Sequence, residues 1–562
     1  MSRNFLSAFF LLILYSCSPS SQEGRPEQKS NRLFERLPAS YSGITFSNDL
    51  DAGSVKSPLE YINVYNGGGV GIGDFNNDGL PDIYLTGNIS DNALFINEGN
   101  LVFRDMTEQA GVSAPDSWCT GVAIGDVNGD GYDDIYVCRA YDDLPALREN
   151  LLFINNGDFT FTEKAAAYGL NDNGYSITAT FLDYDLDGDA DLFVGNHPLD
   201  RMISYGEHMT KWRNPIPETS DHLYRNNGDG SFTRVTKEAG LLNYGWTLGV
   251  VSTDFNQDGW PDLFVSVDHS EPDRYYLNNQ DGTFRESSES NFMHLSYSSM
   301  GVDAADINND GLPDLAVVEM LATDNFNEKT KMASMNPERF NAFVRDGYQH
   351  QYMRNMLHIN AGSGHFSEIG QMAGVHRTNW SWSALLADFD NDGWKDFFVT
   401  NGYLREYLDK DHNNAMVSQM EQARQSGQSA NPIIANFGRL APTTRVENAC
   451  FRNNKDLTFT DVAKQVGLNY DGYSSGAAYA DLDNDGDLDL IVNNTNDAAG
   501  IYRNQASEQT GHTFLRIKLG GPPGLSTSGT QIWVTTSETT QFQEHTRTRG
   551  YQSAVEDIIH FG

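Results

Sequence analysis

Seven short stretches of this sequence place oxygen-bearing side chains at alternating positions around a glycine. The first reads DFNNDGLPDIYL from Asp74, and all seven fit D-x-[DN]-x-D-G-x-x-D followed by an apolar run. Numbered from the first Asp, the side chains at positions 1, 3, 5 and 9 and the carbonyl at position 7 form an oxygen set suited to Ca²⁺. The pattern therefore predicts a calcium loop in each stretch.

Five ligands are predicted in every loop. They are Asp74, Asn76, Asp78, Leu80, Asp82; Asp126, Asn128, Asp130, Tyr132, Asp134; Asp183, Asp185, Asp187, Asp189, Asp191; Asp254, Asn256, Asp258, Trp260, Asp262; Asp306, Asn308, Asp310, Leu312, Asp314; Asp388, Asp390, Asp392, Trp394, Asp396; and Asp481, Asp483, Asp485, Asp487, Asp489. An EF-hand needs a bidentate Glu at position 12, where these loops have only Leu or Val. A plain Asp/Asn–Gly turn is the alternative for one copy, and the sevenfold repetition argues against it.

The segments around the loops indicate four short strands in every repeat. An apolar strand such as GVAIGD precedes the loop, a second follows it, and two more surround an Asn–Gly turn, as in NLLFINNGDFTFTEKAAAYGL. We name these strands A to D, so that the calcium loop joins A to B. Seven such repeats predict an all-β, seven-bladed β-propeller over residues 33–505. The last repeat lacks strand D, and RLFERLPASYSGITF near the N-terminus is predicted to supply it.

Charge and composition narrow the partner classes. The 562 residues contain 77 Asp and Glu against 38 Lys and Arg, a formal net charge of −39. Nucleic acid is not expected as a partner, because phosphate binding needs a basic face. Hydrophobic residues make up 39% of the chain, which argues against a disordered acidic polymer. Bound calcium would neutralise part of the charge.

The loop and its hairpin resemble the FG-GAP/VCBS repeats of integrin-α-like propellers over about residues 34–505. The resemblance implies up to seven structural Ca²⁺ ions in the A–B loops. Residues 513–562 resemble an ASPIC/UnbV domain through FLRIKLGG, GTQIWV, RGYQS and HFG. The combination resembles bacterial relatives of cartilage acidic protein. Gly529-Thr530 departs from the usual Gly-Ala, and the family motif continues past HFG, so a small, incomplete C-terminal β domain is expected.

The N-terminus predicts export. Arg3 precedes the apolar run Phe5–Tyr15, which is too short to span a bilayer, and Leu14-Tyr15-Ser16-Cys17 resembles a bacterial lipoprotein cleavage box. An ordinary secretory signal is the alternative. A lipid on Cys17 would anchor the protein to a membrane without spanning it, and residues 18–32 read as a flexible tether. The expected location is the outer membrane, the periplasm or the cell surface.

The four cysteines do not form a disulfide framework. Besides Cys17, Cys119 and Cys138 flank one hairpin and could pair. Two buried free thiols are at least as compatible with the sequence. Cys450 has no evident partner.

The predicted ligand face lies opposite the calcium loops. A–B and C–D turns share one face of a propeller, whereas the long insertions 195–221, 319–354 and 400–447 follow strand B and belong to the other. Their aromatic and basic side chains could hold a glycan, and packing of the insertions onto the propeller is the alternative. The ligand-face residues are His197, Arg201, Trp212, Arg213, Arg339, Phe340, Arg345, Tyr348 and His350.

These features predict a calcium-stabilised ligand-binding or adhesion module at a cell surface, with a glycan or protein ligand. The alternative is a calcium-dependent polysaccharide lyase or hydrolase, with His197, His208 or His350 as its base. A third possibility is a structural partner in a surface assembly. No H-E-x-x-H or P-loop pattern occurs, and no catalytic residue is predicted.

Overall fold

The computed structural model describes residues 32–51, 53, 55–198, 203–331, 336–362, 364–522, 524–537 and 539–562. The predicted signal peptide 1–17, including Cys17, lies outside these residues, as does the tether up to residue 31. Within the described ranges, no helix is both long and apolar enough to cross a membrane.

Seven antiparallel sheets built from the repeat strands dominate this all-β fold, and we number them from 1 to 7 along the chain. The A strands are Val70–Gly73, Cys119–Gly125, Tyr175–Leu182, Trp246–Thr253, Val302–Ala305, Ser381–Ala387 and Ser474–Ala480. The B strands are Asp82–Leu85, Asp134–Arg139, Asp191–His197, Asp262–Asp268, Asp314–Val317, Asp396–Asn401 and Asp489–Asn494. The C strands are Ala93–Asn97, Leu151–Asn155, His222–Asn226, Arg274–Asn278, Met356–Asn360, Ala449–Asn453 and Gly500–Asn504. The D strands are Phe103–Asp105, Phe161–Glu163, Phe232–Arg234, Phe284–Glu286, Phe366–Glu368, Phe459–Asp461 and, for sheet 7, Phe34–Leu37.

The sheet order confirms the predicted order of strands A to D. Every B strand begins with the position-9 Asp of its loop, which pairs with the last residue of strand A, as Asp82 does with Gly73. Position 12 is a buried strand residue in each loop, for example Leu85. The loops therefore close tight A–B hairpins and are not EF-hands.

The sheets follow one another in a propeller-like arrangement. Each A strand contacts the A strand of the next sheet, and Ser474–Ala480 contacts Val70–Gly73. Apolar clusters lie between successive sheets; Ile83 of sheet 1, for example, shares one with Ile491 of sheet 7. This burial between sheets supplies most of the core, because a single four-stranded sheet leaves both faces uncovered.

The N-terminal strand lies at the outer edge of sheet 7. Phe34–Leu37 pairs antiparallel with strand C of that sheet, with Phe34 opposite Asn504 and Leu37 opposite Ile501. The chain then crosses to strand A of sheet 1. On the way, the Tyr65 ring lies 5.6 Å from that of Tyr403 in the third insertion.

The helices are short and lie outside the sheets. Most D strands lead into a single turn of helix, at Ala39–Ser42, Thr107–Ala110, Ala165–Tyr168, Ser288–Asn291, Gly370–Ala373 and Ala463–Val466, and Ala506–Thr510 follows the last C strand. The insertions hold Tyr205–Arg213, Asn325–Thr330, Pro337–Arg345, Lys410–Gln425, Asn431–Ala435 and Phe437–Leu440. Short 3-10 turns occur at Pro145–Leu147 and Pro217–Thr219, and small strand pairs join Leu295–Ser296 to Gln351–Tyr352 and Val446–Glu447 to Asp471–Gly472.

The C-terminal β region contains three strand pairs. Leu515–Lys518 pairs with Ile558–Phe561, Gln531–Thr535 with Thr540–Glu544, and Thr548–Arg549 with Ser553–Ala554. The last pair is a hairpin among the A strands, where Ala554 pairs with Gly71 of sheet 1 and Gly550 bridges Val302 of sheet 5. Because these sheets are not neighbours, the hairpin crosses the centre of the arrangement. The region predicted as a small separate domain thus inserts its central hairpin between the sheets.

For the described residues, the structure decides between a Cys119–Cys138 disulfide and free thiols. Cys119, Cys138 and Cys450 are buried free thiols. Burial raises the pKa of Cys119 to about 11, so this thiol is unreactive at neutral pH.

Candidate metal centres and a cavity on the opposite face

Backbone N–H groups hold the first carboxylate of every calcium loop. Asp74 accepts hydrogen bonds from the N–H of Asp78 and of Gly79, both 3.0 Å long. The bond from the position-6 glycine recurs in all seven loops. This glycine has a positive φ, 85° at Gly79, which explains why glycine occupies the position.

Three loops, those with Asp at position 3, bring their carboxylates together as candidate metal sites. Carboxylate oxygens lie within 4.8 Å of one another in three groups: Asp183, Asp185 and Asp191; Asp388, Asp390 and Asp392; and Asp481, Asp483 and Asp485. In each group at least one buried oxygen has no hydrogen-bond partner, for example Oδ1 of Asp185, Asp390 and Asp483. Unpaired buried oxygens are costly, and hard oxygen donors at this spacing fit Ca²⁺.

Loops with Asn at position 3 differ from the three loops above in how their carboxylates are bonded. The Asn76 amide donates to Asp78 Oδ2 over 2.9 Å, and the same contact forms in the loops from Asp126 and Asp306. One carboxylate oxygen in each is thereby occupied within the protein, and the loop has one negative charge fewer. These loops fit a cation less closely than the three all-Asp cages.

The position-9 Asp residues are the most deeply buried ligands. Burial raises the pKa of Asp82, Asp134 and Asp262 to about 8, and that of Asp191 to about 9. A nearby cation favours the ionised form of such a group. The buried carboxylates are therefore suited to a bound divalent ion.

The asparagine that ends each C strand is a structural residue that the sequence reasoning missed. Asn97 N–H donates to Asp82 Oδ1 over 2.8 Å, and the equivalent bond occurs in all seven sheets. The Asn97 side chain also donates to Leu482 O in the loop of sheet 7, over 2.8 Å. In the sequence these residues look like turn formers. The signal for their structural role is that an Asn stands at the same place in all seven repeats.

A second set of amides links neighbouring loops through position 4. Asn77 donates to Gly131 O and Asn484 to Gly79 O, over 2.9 and 3.0 Å. Position 4 has a positive φ, 57° at Asn77, which asparagine tolerates. The loops thus form a laterally bonded layer.

The C-terminal region covers this loop layer. Arg516 lies 2.9 Å from Asp481 Oδ2, and Gln531 donates to Asp254 Oδ2 over 3.0 Å. In the centre, Arg547 pairs with Asp133 at 2.6 Å and Arg549 with Asp303 at 2.8 Å. Basic residues of the tail therefore offset acidic residues of the sheets.

The insertions pack against one another on the opposite face. The Trp212 and Tyr348 rings lie 4.3 Å apart, and Arg213 donates to Asp346 O over 2.7 Å. Lys331 donates to Thr444 over 2.6 Å, which joins the second insertion to the third. Packing is therefore the main role of several residues that the sequence placed on the ligand face.

The remaining predicted ligand-face residues have different environments. Arg339 donates to Ser270 Oγ over 3.0 Å, and the Phe340 ring lies 5.8 Å from that of His350. Arg345 and His350 are exposed. His197 is buried, and Arg201 lies outside the described residues. The structure does not gather these side chains into one site.

A cavity of about 380 Å³ opens on this face beside sheets 3 and 4. Its walls include the rings of Tyr61, Tyr175, Tyr244 and Trp246. His197, His208, His269 and Glu271 also line it. Of these residues, the sequence reasoning singled out only His197 and His208, because the others come from segments far apart in the chain.

The polar side of the cavity is deeply buried. Glu271 is 1% exposed, and its Oε1 lies 3.0 Å from His208 Nε2. Burial raises the pKa of Glu271 to about 8, although the nearby backbone N–H groups oppose this. Burial also lowers the pKa of His197 to about 3. His208 Nε2 lies 2.8 Å from Tyr348 Oη as well, which connects the cavity to the packed insertions.

Comparison with known proteins gives matches to two families. The FG-GAP-like repeat matches residues 74–137, 216–265, 254–317, 343–399 and 435–492, together half of the chain. The family described as ASPIC and UnbV matches residues 523–562.

Individual relatives align with a smaller share of this chain than the FG-GAP-like repeat does. Cartilage acidic protein 1 of Mus musculus is 27% identical over 205 residues, 36% of this chain and 28% of that protein. The Homo sapiens protein of the same name is 28% identical over 211 residues, 36% and 29% respectively. The chain thus matches less than a third of the length of these curated relatives. A solved structure described as "Structure of Dos1 propeller" aligns over 80% of this chain and 82% of that chain, with 9% identity and a TM-score of 0.36.

Proposed function

On the premise that this chain belongs to the FG-GAP-like repeat family and has an ASPIC and UnbV region, we propose that it is an exported, calcium-stabilised ligand-binding propeller. The ligand, a glycan or a protein, binds on the face opposite the calcium loops. The observation that carries the proposal is the open aromatic cavity on that face, whereas the C-terminal region contacts the loops on the other face. A concave, mostly apolar site with a few polar groups is typical of ligand binding.

The proposed architecture is a seven-bladed ring closed by the N-terminal strand. The pairing of Phe34–Leu37 with sheet 7 supports closure, since it supplies the missing D strand. The bonds Asn97 to Leu482 and Asn484 to Gly79 also support it, because both join sheets 1 and 7. Closure removes the open sheet edges that would otherwise expose the repeats to aggregation.

The proposed cofactor is Ca²⁺, structural and up to seven per chain. The unpaired oxygens of the three all-Asp cages support it most directly. The role is stabilising, because the same loop recurs in every sheet, where it joins strand A to strand B. A bound ion would neutralise buried carboxylates and fix the A–B hairpins.

The proposed location is a bacterial membrane surface, reached through a lipid on Cys17. Radiolabelled palmitate incorporation tests this step: the full-length protein should take up label, and Cys17→Ala should not. Ligand binding is tested by screening the full-length protein in detergent and calcium against glycan and surface-protein arrays. The absence of any reproducible ligand would count against the binding function.

A second candidate, polysaccharide cleavage, is favoured by one observation. His208 lies within 3.0 Å of both Glu271 and Tyr348 beside the cavity, and such an imidazole could transfer a proton. Incubation with a polysaccharide panel and assay of new reducing ends distinguishes the two functions. Turnover that His208→Asn abolishes would establish the enzyme, whereas binding without turnover supports the module.

A further inference from the structure

The cavity beside sheets 3 and 4 is surrounded by buried polar atoms without partners. Among the described residues, His197 Nδ1 and Nε2, His269 Nε2 and Glu271 Oε2 have no well-aligned hydrogen bond, and Glu271 Oε1 has its close contact with His208 Nε2 at 3.0 Å. More than about nine-tenths of buried polar groups in folded proteins are paired. Several such atoms at one cavity are therefore available to bond a polar ligand that enters it.

The way to these atoms is open from the solvent side. The His208 and His269 side chains are 16% and 29% exposed, whereas Glu271 and His197 lie deeper. A polar group entering the cavity thus meets the partly exposed imidazoles first and the buried carboxyl last.

The aromatic walls determine the shape of the ligand. Trp246 lies between His197 and His269, with ring centroids 5.1 and 5.2 Å away, and it borders the cavity together with Tyr175 and Tyr244. Flat apolar walls above a polar base fit a ring that has an apolar face and a polar edge. A pyranose has both: its C–H groups face an aromatic ring, and each hydroxyl can donate as well as accept a hydrogen bond.

The charges near the cavity disfavour an anionic ligand. Glu60 lines it, and Asp268 lies beside His269 at 3.6 Å. Burial lowers the pKa of His197 and His208, so these imidazoles are neutral at pH 7. Of the basic groups near the cavity, Arg339 bonds Ser270, and Arg274 lies over the Trp212 ring. Hydroxyl groups suit this setting better than a carboxylate or sulfate.

We propose that the cavity binds one neutral pyranose unit of a glycan, with Trp246 as its stacking surface and Glu271, His197 and His269 as its hydroxyl partners. The inference rests on the proposed binding function and specifies its ligand. The volume of about 380 Å³ lies at the low end of small-molecule pockets, roughly 300–1,000 Å³, which suits a terminal unit better than an extended chain.

The test is titration calorimetry of the full-length protein in detergent with saturating calcium. The probes are glucose, galactose, mannose, xylose, fucose and N-acetylglucosamine, with glucosamine and glucuronic acid as cationic and anionic counterparts of glucose. At least one neutral sugar should bind more tightly than both charged ones. Glu271→Ala and Trp246→Leu should each weaken it at least about tenfold, while His350→Ala, exposed on the same face, should not.

Melting temperatures of the variants show whether they fold; if Trp246→Leu does not, Glu271→Ala alone decides. Tighter binding of glucosamine than of any neutral sugar would identify a cation site and overturn the inference. Binding of no neutral sugar would overturn it too. If the glycan or protein found in the array screen still binds to both variants, the cavity inference fails while the binding function stands. If the wild type has no ligand in either assay, the proposed function fails with it.

Discussion

The two faces of this molecule are built by different means on the same strands. The loop face repeats one short turn seven times, uses carboxylates and amides, and is covered by the C-terminal region. The opposite face has three unequal insertions and the segment after the N-terminal strand, which pack by aromatic contacts around a cavity. The loop face is therefore the regular one, and the opposite face is the irregular one that holds the aromatic cavity.

Calcium removal should have the largest effect on stability. It should also affect the loop face before the opposite face. A site at about one hundred times its dissociation constant contributes about 2.7 kcal/mol, so several sites together exceed the effect of any point mutation. Excess chelator should lower the melting temperature strongly and reversibly. Hydrogen exchange should rise first in the A–B loops and later in the insertions. An unchanged melting curve would contradict the calcium assignment.

The next largest effect should come from the tail that crosses the centre. Arg549 and Asp303 form a 2.8 Å pair whose side chains are 9% and 0% exposed. Arg549→Met leaves a buried carboxylate unpaired, which costs about 3–5 kcal/mol in the free energy of unfolding.

Urea denaturation in calcium measures this loss, and the double variant Arg549→Met with Asp303→Asn should recover part of it. Arg339→Met on the opposite face is the matched control, expected to cost under about 1 kcal/mol because this arginine is exposed. Equal losses at the two arginines would remove the distinction between the faces.

The cavity face should show a pH dependence due to Glu271. Burial raises its folded pKa to about 8, above the value of the unfolded chain, so the folded protein holds a proton that the unfolded chain releases. Stability should fall as pH rises from about 4.5 to 8, by at most about 1.4 kcal/mol per pH unit. His208, Asp268 and Arg274 also face this group.

The difference between wild type and Glu271→Gln isolates this contribution, because His208, whose pKa is lowered by burial, changes stability in the opposite direction. The variant should lose less stability than the wild type as the pH rises. Parallel curves from pH 5 to 8 would show that Glu271 is not protonated in the fold.

The smallest effect should distinguish the two classes of loop. Asp390→Asn removes a carboxylate with an unpaired buried oxygen and should weaken calcium binding at that loop, by about tenfold, because ligand charge tunes affinity. Asn76→Asp makes the opposite change in the first loop and should strengthen it. Calcium titration calorimetry of both variants measures the pair. Identical affinities would mean that position 3 does not set the strength of the site.

The sequence alone was sufficient to predict the structural features that repeat along the chain. The D-x-[DN]-x-D-G-x-x-D pattern predicted the A–B hairpins, because alternating ligands around an obligatory glycine are local properties of the chain. Phe34–Leu37 was also placed correctly beside sheet 7, since the last repeat visibly lacked a strand.

Only the tertiary structure decided what depends on contacts between distant segments. Trp212 and Tyr348 were indistinguishable from ligand-binding aromatics until their rings were found packed together. The cavity could not be predicted because Tyr61, Trp246 and Glu271 come from three separate segments. The central position of Arg549 depended on the tail finding acidic partners inside the sheets. Local turn chemistry is encoded residue by residue, whereas burial and juxtaposition are properties of the whole packed chain.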